Sequence, residues 1–187
     1  MHSHEDWIDL LNCISSANAI ILDDLVTTED HLSEDVNFLI NTLQLVATNH
    51  DIGTEISQSL CFGAAVLLCT LSEKLLRNLF RHLTFNDIYV PTENITMGNL
   101  LNPKSGNALI PVFGEDHLHN LLFFFHKNNH GIGRNYRNNL AHWSNLSANQ
   151  MTIQFVCQIL WLYIDILNTV FWFFIKDDVT EPDLSAK

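Results

Sequence analysis

Apolar residues recur at spacings of three and four along most of this 187-residue chain, the signature of helices with one buried face. Residues 5–26 read as a first helix, with Trp7, Leu10, Leu11, Ile14, Ile21 and Leu25 on its apolar side. The polar run 27–30 breaks it. Ser33 then has the chemistry of a helix cap, with Glu34 and Asp35 behind it and Val36, Leu39, Ile40, Leu43 and Val46 as the inner face. A third helix over 55–84 is nearly all apolar from Leu60 to Leu71, which predicts a central, buried element. Its end turns amphipathic, with Glu73, Lys74, Arg77 and Arg81 stepping at three to four residues. Residues 86–114 hold three of the four prolines and predict a long loop with one short helical turn near 97–101. A fourth long helix follows over 115–128, then a turn, a short helix over 135–145 and a last helix over 148–175. The chain is therefore all-α: a bundle of five to six helices with a long loop before the fourth. Residues 1–52 read as an acidic helical extension packed on the domain, 53–176 as the helical domain and 177–187 as a flexible acidic tail. No internal repeat or heptad array is visible.

The last helix needs its own test. Residues 153–175 are apolar enough, and long enough, to span a bilayer. Against a span, Gln154, Gln158, Asp165 and Asn168 lie close to one face, and Asp165 would sit at mid-membrane at a cost of several kcal/mol. Neither end carries a Lys/Arg cluster. A core or dimer helix fits better than a membrane anchor, and no membrane partner is expected. The run Leu121, Leu122, Phe123, Phe124, Phe125 cannot all face one core, so a second apolar face is expected there.

Composition sharpens the compartment. Cys13, Cys61, Cys69 and Cys157 sit inside apolar runs with no C-x-x-C pair, as reduced, buried thiols of a cytoplasmic protein do. The amino terminus is rich in His and acids where a secretion signal would be basic. Net charge is −12, which argues against tight, non-specific binding of long nucleic acid. The charge is unevenly placed. Residues 1–72 contain no Lys or Arg, whereas Lys74, Arg77, Arg81, Lys104, Lys127, Arg134 and Arg137 fall in 73–143 with most of the histidines. A local cationic site on an acidic body follows, and the base-free amino-terminal part is a candidate mask for it.

That cationic segment ends in the run 135–143, NYRNNLAHW, where Arg137, Asn138 and His142 form the pattern R-N-x-x-x-H. Arg137 is a permanent cation that can fork onto a phosphate, and His142 exchanges protons near neutral pH. The motif and its place, just before a long apolar helix, resemble the HEPN superfamily of small all-α domains, many of them metal-independent ribonucleases. The resemblance covers about residues 55–175. It implies an HEPN-like fold and an endoribonuclease that uses the RNA's own 2′-OH, leaving 2′,3′-cyclic phosphate and 5′-OH ends without metal or cofactor. His142 would be the general acid or base, Arg137 would stabilise the phosphorane, and Asn138 would orient His142 or donate to phosphate. Five residues of helix rotate by about 140°, so Arg137 and His142 do not share a face of one straight helix, unless the long Arg stem bends around or the segment starts as a turn. In the resembled family a homodimer sets two motifs face to face. The implied partners are RNA, tRNA included, and an antitoxin or inhibitory protein. The implied role is a toxin or phage-defence (abortive-infection) effector.

Supporting residues follow from position. Arg134 is a second phosphate contact, Lys127 and Arg77 further cations for substrate, and Tyr136 and Trp143 rings that stack on bases or pack in the core. Glu73, on the long helix that packs near the motif in relatives, is a candidate to orient Arg137. Trp143 departs from the small residue common after the His and either stacks on a base or blocks the cleft. Ser144 stands where one toxin branch has a modified Tyr two residues past the His, so control of that kind is not supported. His126 and His130 have a helical metal-ligand spacing, but no further ligand converges on them in sequence. Two other readings stay open. One is a catalytically inactive HEPN-like module for dimerisation or nucleotide binding, and within it the motif can be a plain capped helix in which Arg137 bonds a carbonyl or Asp and His142 packs in the core beside Trp143. The other is a membrane-associated protein anchored by 153–175.

Overall fold

The computed structural model describes residues 9–17, 32–49, 55–85, 95–127, 132–142 and 150–179. Among these residues there are helices and no strands. They are α1 (residues 9–17), α2 (Leu32–Asn49), α3 (Glu55–Phe85), α4 (Met97–Leu100), α5 (Ile110–Phe113), α6 (Glu115–Phe125), α7 (Tyr136–His142) and α8 (Ile153–Val179). Eight helices exceed the five to six expected: α4 is the short turn expected near 97–101, and α5 is a second turn that the region read as a long loop folds on its own.

Helix α3 is the axis. It packs on α2 along one side and on α8 along another, and its carboxyl-terminal half meets α7. Cys61, Ala64, Ala65, Leu68, Leu75, Leu76 and Leu79 point into the core on several sides of the helix, as an element surrounded by others requires. The buried Ser72 hydroxyl donates to the Leu68 carbonyl at 2.7 Å, which removes the penalty of an unpaired polar group. Leu11 and Ile14 of α1, and Leu39, Leu43 and Val46 of α2, belong to the same core cluster as α3 and α8. The acidic amino-terminal helices are therefore load-sharing parts of the core. Removing them would expose its leucines, so a truncation would report unfolding rather than unmasking. Cys61 and Cys69 are buried as expected, whereas Cys13 is exposed on the outer side of α1.

The expected loop is built by one side chain. Asn107 donates through Nδ2 to the carbonyls of Leu100 (2.8 Å) and Asn102 (2.7 Å), and its Oδ1 accepts from the Leu109 amide at 2.9 Å. Thr96 caps α4 by accepting from the Asn99 amide. Pro111 lies in the first turn of α5, where a missing N–H costs nothing. Gly114, at φ 76°, then turns the chain directly into α6.

Helix α8 starts at Ile153, later than expected, because the Thr152 hydroxyl accepts from the Phe155 amide at 3.3 Å and caps it there. It runs on to Val179, into the stretch read as a tail. Residues 180–187 lie outside the described residues. Both α3 and α8 contain stretches long and apolar enough to cross a membrane, Glu55–Thr84 and Ile153–Ile175. In the structure each lays apolar side chains on the other: Val156, Ile159, Tyr163, Ile166 and Val170 of α8 are fully buried.

Candidate functional site around Arg137 and His142

The motif helix is entered through two residues with positive φ. Gly133 (φ 140°) presses against α6 so closely that a Cβ there would lie 2.2 Å from the His126 carbonyl oxygen. Asn135 (φ 57°) adopts the left-handed conformation that Asn tolerates better than most residues. The Arg134 amide donates to the Phe123 carbonyl at 2.7 Å, and Asn139 Nδ2 donates back to the Arg134 carbonyl at 3.1 Å. These bonds fix where α7 begins and so where Arg137 stands.

Arg137 is held from below by a buried carboxylate. Its Nε donates to Glu73 Oε2 at 3.0 Å, and Nη1 donates to Asn138 Oδ1 at 3.3 Å. Asn138 Nδ2 in turn donates to Asn135 Oδ1 at 3.1 Å. Glu73 is 7% exposed, and its other oxygen accepts from Arg77 Nη2 at 2.6 Å. Arg77 Nε is spent on the Ile95 carbonyl at 3.0 Å. Both oxygens of Glu73 are thus occupied by guanidinium groups, and the contact expected between Glu73 and Arg137 is present in the geometry. Arg137 keeps about a third of its side chain exposed (35%), and its Nη2 has no partner among the described residues. One edge of the guanidinium is committed to the fold and the other is presented outward.

Beneath the pair lies Cys69. Burial pushes its thiol up to about 12, with Arg137 pulling the other way and Glu73 adding to the rise. It stays protonated and is no nucleophile at neutral pH. His142 closes α7 and is exposed, without a hydrogen-bond partner among the described residues. An imidazole packed inside the core is therefore ruled out. Five residues of helical rise separate it from Arg137 by about 7.5 Å along the axis, with the rotation of about 140° noted above. No hydrogen bond joins the two groups among the described residues.

The other expected site residues scatter. Arg77 is drawn into the Glu73 cluster. Arg134 is exposed beside α7. Tyr136 turns away from Arg137 into a cleft of about 830 Å³ between α6 and α8, where its hydroxyl donates to Gln158 Oε1 at 3.3 Å and its ring meets Phe155 edge-on. Lys127 lines a different pocket, on the other flank of α6. Trp143, Ser144 and His130 lie outside the described residues. Two features had no place in the sequence reading. His117 Nε2 and Asp165 Oδ2 lie 2.6 Å apart across the α6–α8 cleft, which explains how an acid is kept in the last apolar helix. Asn135 was unmarked, although an Asn one residue before a helix is a recognisable signal.

The outer face of α8 is also notable. Gln154, Gln158, Trp161, Asn168 and Trp172 are exposed, with Asp165 half-buried among them, at alternating steps of four and three. Trp161 is 71% exposed. No protein-family profile, curated protein or solved structure is significantly similar to this chain.

Proposed function

We propose that this protein is an endoribonuclease of the HEPN type that acts as a homodimer and needs no metal. The observation that carries the reading is the clamp on Arg137: a buried Glu73 fixes one edge of the guanidinium while Nη2 faces outward, and α7 ends in an exposed His142. The open part of the Arg137 guanidinium and the exposed His142 imidazole leave both groups reachable by a substrate.

In this mechanism His142 of one copy takes the proton of the 2′-OH. The 2′ oxygen attacks the adjacent phosphorus, and the bond to the 5′ oxygen breaks. The leaving oxygen takes a proton from the second imidazole, giving a 2′,3′-cyclic phosphate and a 5′-OH. Arg137 donates to the non-bridging oxygens as charge builds on them. Asn138 braces Arg137 through its side-chain oxygen. The resemblance implies two copies, with their motifs facing each other across a two-fold axis so that Arg137 and His142 of both line one cleft. The exposed stripe on α8, with Trp161 and Trp172, supplies apolar area for a two-fold contact beside α7. The cellular role as a toxin or phage-defence effector rests on the resemblance of the motif alone, as do the cytoplasmic setting and an antitoxin partner.

The test is incubation of the purified protein with total RNA in EDTA, beside Arg137→Ala and His142→Ala. Cleavage by the unmodified chain alone, with cyclic phosphate ends, is the expected result. Intact RNA with all three proteins folded and dimeric sinks it. The same α8 stripe favours one second reading, a dimerisation module without catalysis, and that outcome would select it.

A further inference from the structure

A second cationic region lies on the far flank of α6 from the α8 cleft. It is a pocket of about 440 Å³ between α6 and the folded segment 96–104. Lys104, Lys127, His119 and His126 line it, and no acidic residue does among the described residues, in a chain where acids outnumber Lys and Arg 21 to 9. Other bases are paired with carboxylates: Glu73 takes Arg77 and Arg137, and Asp35 takes Lys74 at 2.9 Å. Two lysines and two imidazoles around one concavity, with no carboxylate among the described lining residues, favour an anion.

The walls are fixed. The Asn107 clamp on the Leu100 and Asn102 carbonyls holds the segment carrying Lys104. His126 Nδ1 and the Lys127 carbonyl are 2.5 Å apart, so Nδ1 carries the proton and donates. The His126 ring lies against Gly98 so closely that a Cβ there would sit 3.0 Å from it. Phe123 (41% exposed) and Ile132 (60% exposed) form an apolar rim on the same pocket. The concavity thus has a cationic floor and an exposed aromatic face, at the small end of the range of ligand pockets.

We infer that this pocket binds a phosphate group carried on a planar base, a nucleotide unit, with Lys104 and Lys127 on the phosphate and Phe123 against the base. This site is distinct from the Arg137–His142 motif and does not depend on cleavage. The unit has two sources, a free nucleotide or one residue of a single-stranded RNA, and their shared chemistry is what the pocket recognises.

The experiment is equilibrium dialysis of the full chain with adenosine 5′-monophosphate, adenosine or inorganic phosphate, in EDTA. The monophosphate should bind at least about ten-fold more tightly than either fragment, and Lys104→Gln and Lys127→Gln should each weaken it by about ten-fold. Both lysines are exposed, so the variants keep the fold. Lys74→Gln, whose ammonium pairs with Asp35, should leave binding unchanged. Equal binding of adenosine, indifference to both pocket lysines, or an equal loss in Lys74→Gln would each overturn the site. A 2′-O-methylated trinucleotide, which cannot be cleaved through its 2′ oxygen, then identifies the source: displacement of the monophosphate assigns RNA, and no displacement assigns the free nucleotide.

Discussion

The two cationic regions of this molecule are built in opposite ways. Around Arg137 the positive charge is anchored by a buried carboxylate, and the guanidinium is oriented before any ligand arrives. Around Lys104 and Lys127 no carboxylate lines the pocket among the described residues, and both side chains are exposed. The contrast teaches what each can do. A pre-oriented cation suits a transition state, where position matters more than attraction. An unpaired cluster suits ground-state capture of an anion. It follows that the first region should couple function to stability, and the second should not.

The largest effect separates chemistry from folding at His142. His142→Ala should lower RNA cleavage by ~10²–10⁴-fold. Because the side chain is exposed, unfolding should move by no more than about 0.5 kcal/mol. Urea unfolding and a cleavage assay on the same preparation read both numbers. A large loss of stability would place His142 in the fold instead.

Glu73→Ala tests the anchor itself. It leaves two guanidinium groups facing a hole lined by Cys69 and removes the group that aims Arg137. Breaking a buried pair costs roughly 3–5 kcal/mol, and the partial exposure of both arginines brings the expected loss down to about 2–3 kcal/mol. Activity should fall with it. Lys74→Ala, on the half-exposed Asp35 pair, should cost no more than about 1 kcal/mol in the same urea titration. Equal losses for the two would erase the distinction between anchored and surface charge.

Gly133 joins the two regions, since it follows Ile132 of the nucleotide pocket and precedes the entry to α7. Gly133→Ala forces a Cβ onto the His126 carbonyl and a φ of 140° onto a residue that resists it. The loss should be about 1–3 kcal/mol. It should also weaken monophosphate binding, because His126 and Lys127 must shift. Unchanged dialysis and unchanged melting together would show that the two walls are independent.

What was legible in the sequence follows the range of the interactions. Helix α3 was legible because its apolar run is continuous and needs no distant partner to be recognised. The separate apolar faces of α6 were legible too: Leu121 and Phe125 are buried, Phe124 lines one cleft and Phe123 the opposite pocket. Helix α5 was not, because Pro111, Gly106 and Gly114 read as breakers. Their roles depend on the Asn107 clamp, a tertiary contact that periodicity does not show. The motif's residues were visible as a string, but their division was not. Glu73 lies 64 residues from Arg137, and only the fold shows that it also pairs with Arg77. For His117 and Asp165 a signal existed: an acid stranded in an apolar helix requires a partner. Forty-eight residues of intervening chain hid which one.

The smallest effect is the most discriminating for the comparison. Lys104→Gln removes a charge from a cluster that has no carboxylate to lose. The fold should not weaken, and relief of repulsion between Lys104 and Lys127 should leave it equal or more stable by up to about 0.5 kcal/mol. Arg137→Gln, the same loss of one charge in the anchored region, leaves Glu73 with a single guanidinium and should destabilise by about 1–2 kcal/mol. Parallel urea titrations of these two variants in one buffer compare them directly. Opposite or null effects at Lys104 against a clear loss at Arg137 mean that one cation is part of the fold and the other is held in reserve for a ligand. Equal losses mean that an acidic partner supports Lys104 as Glu73 supports Arg137, and the anion pocket would then already be filled by the chain itself.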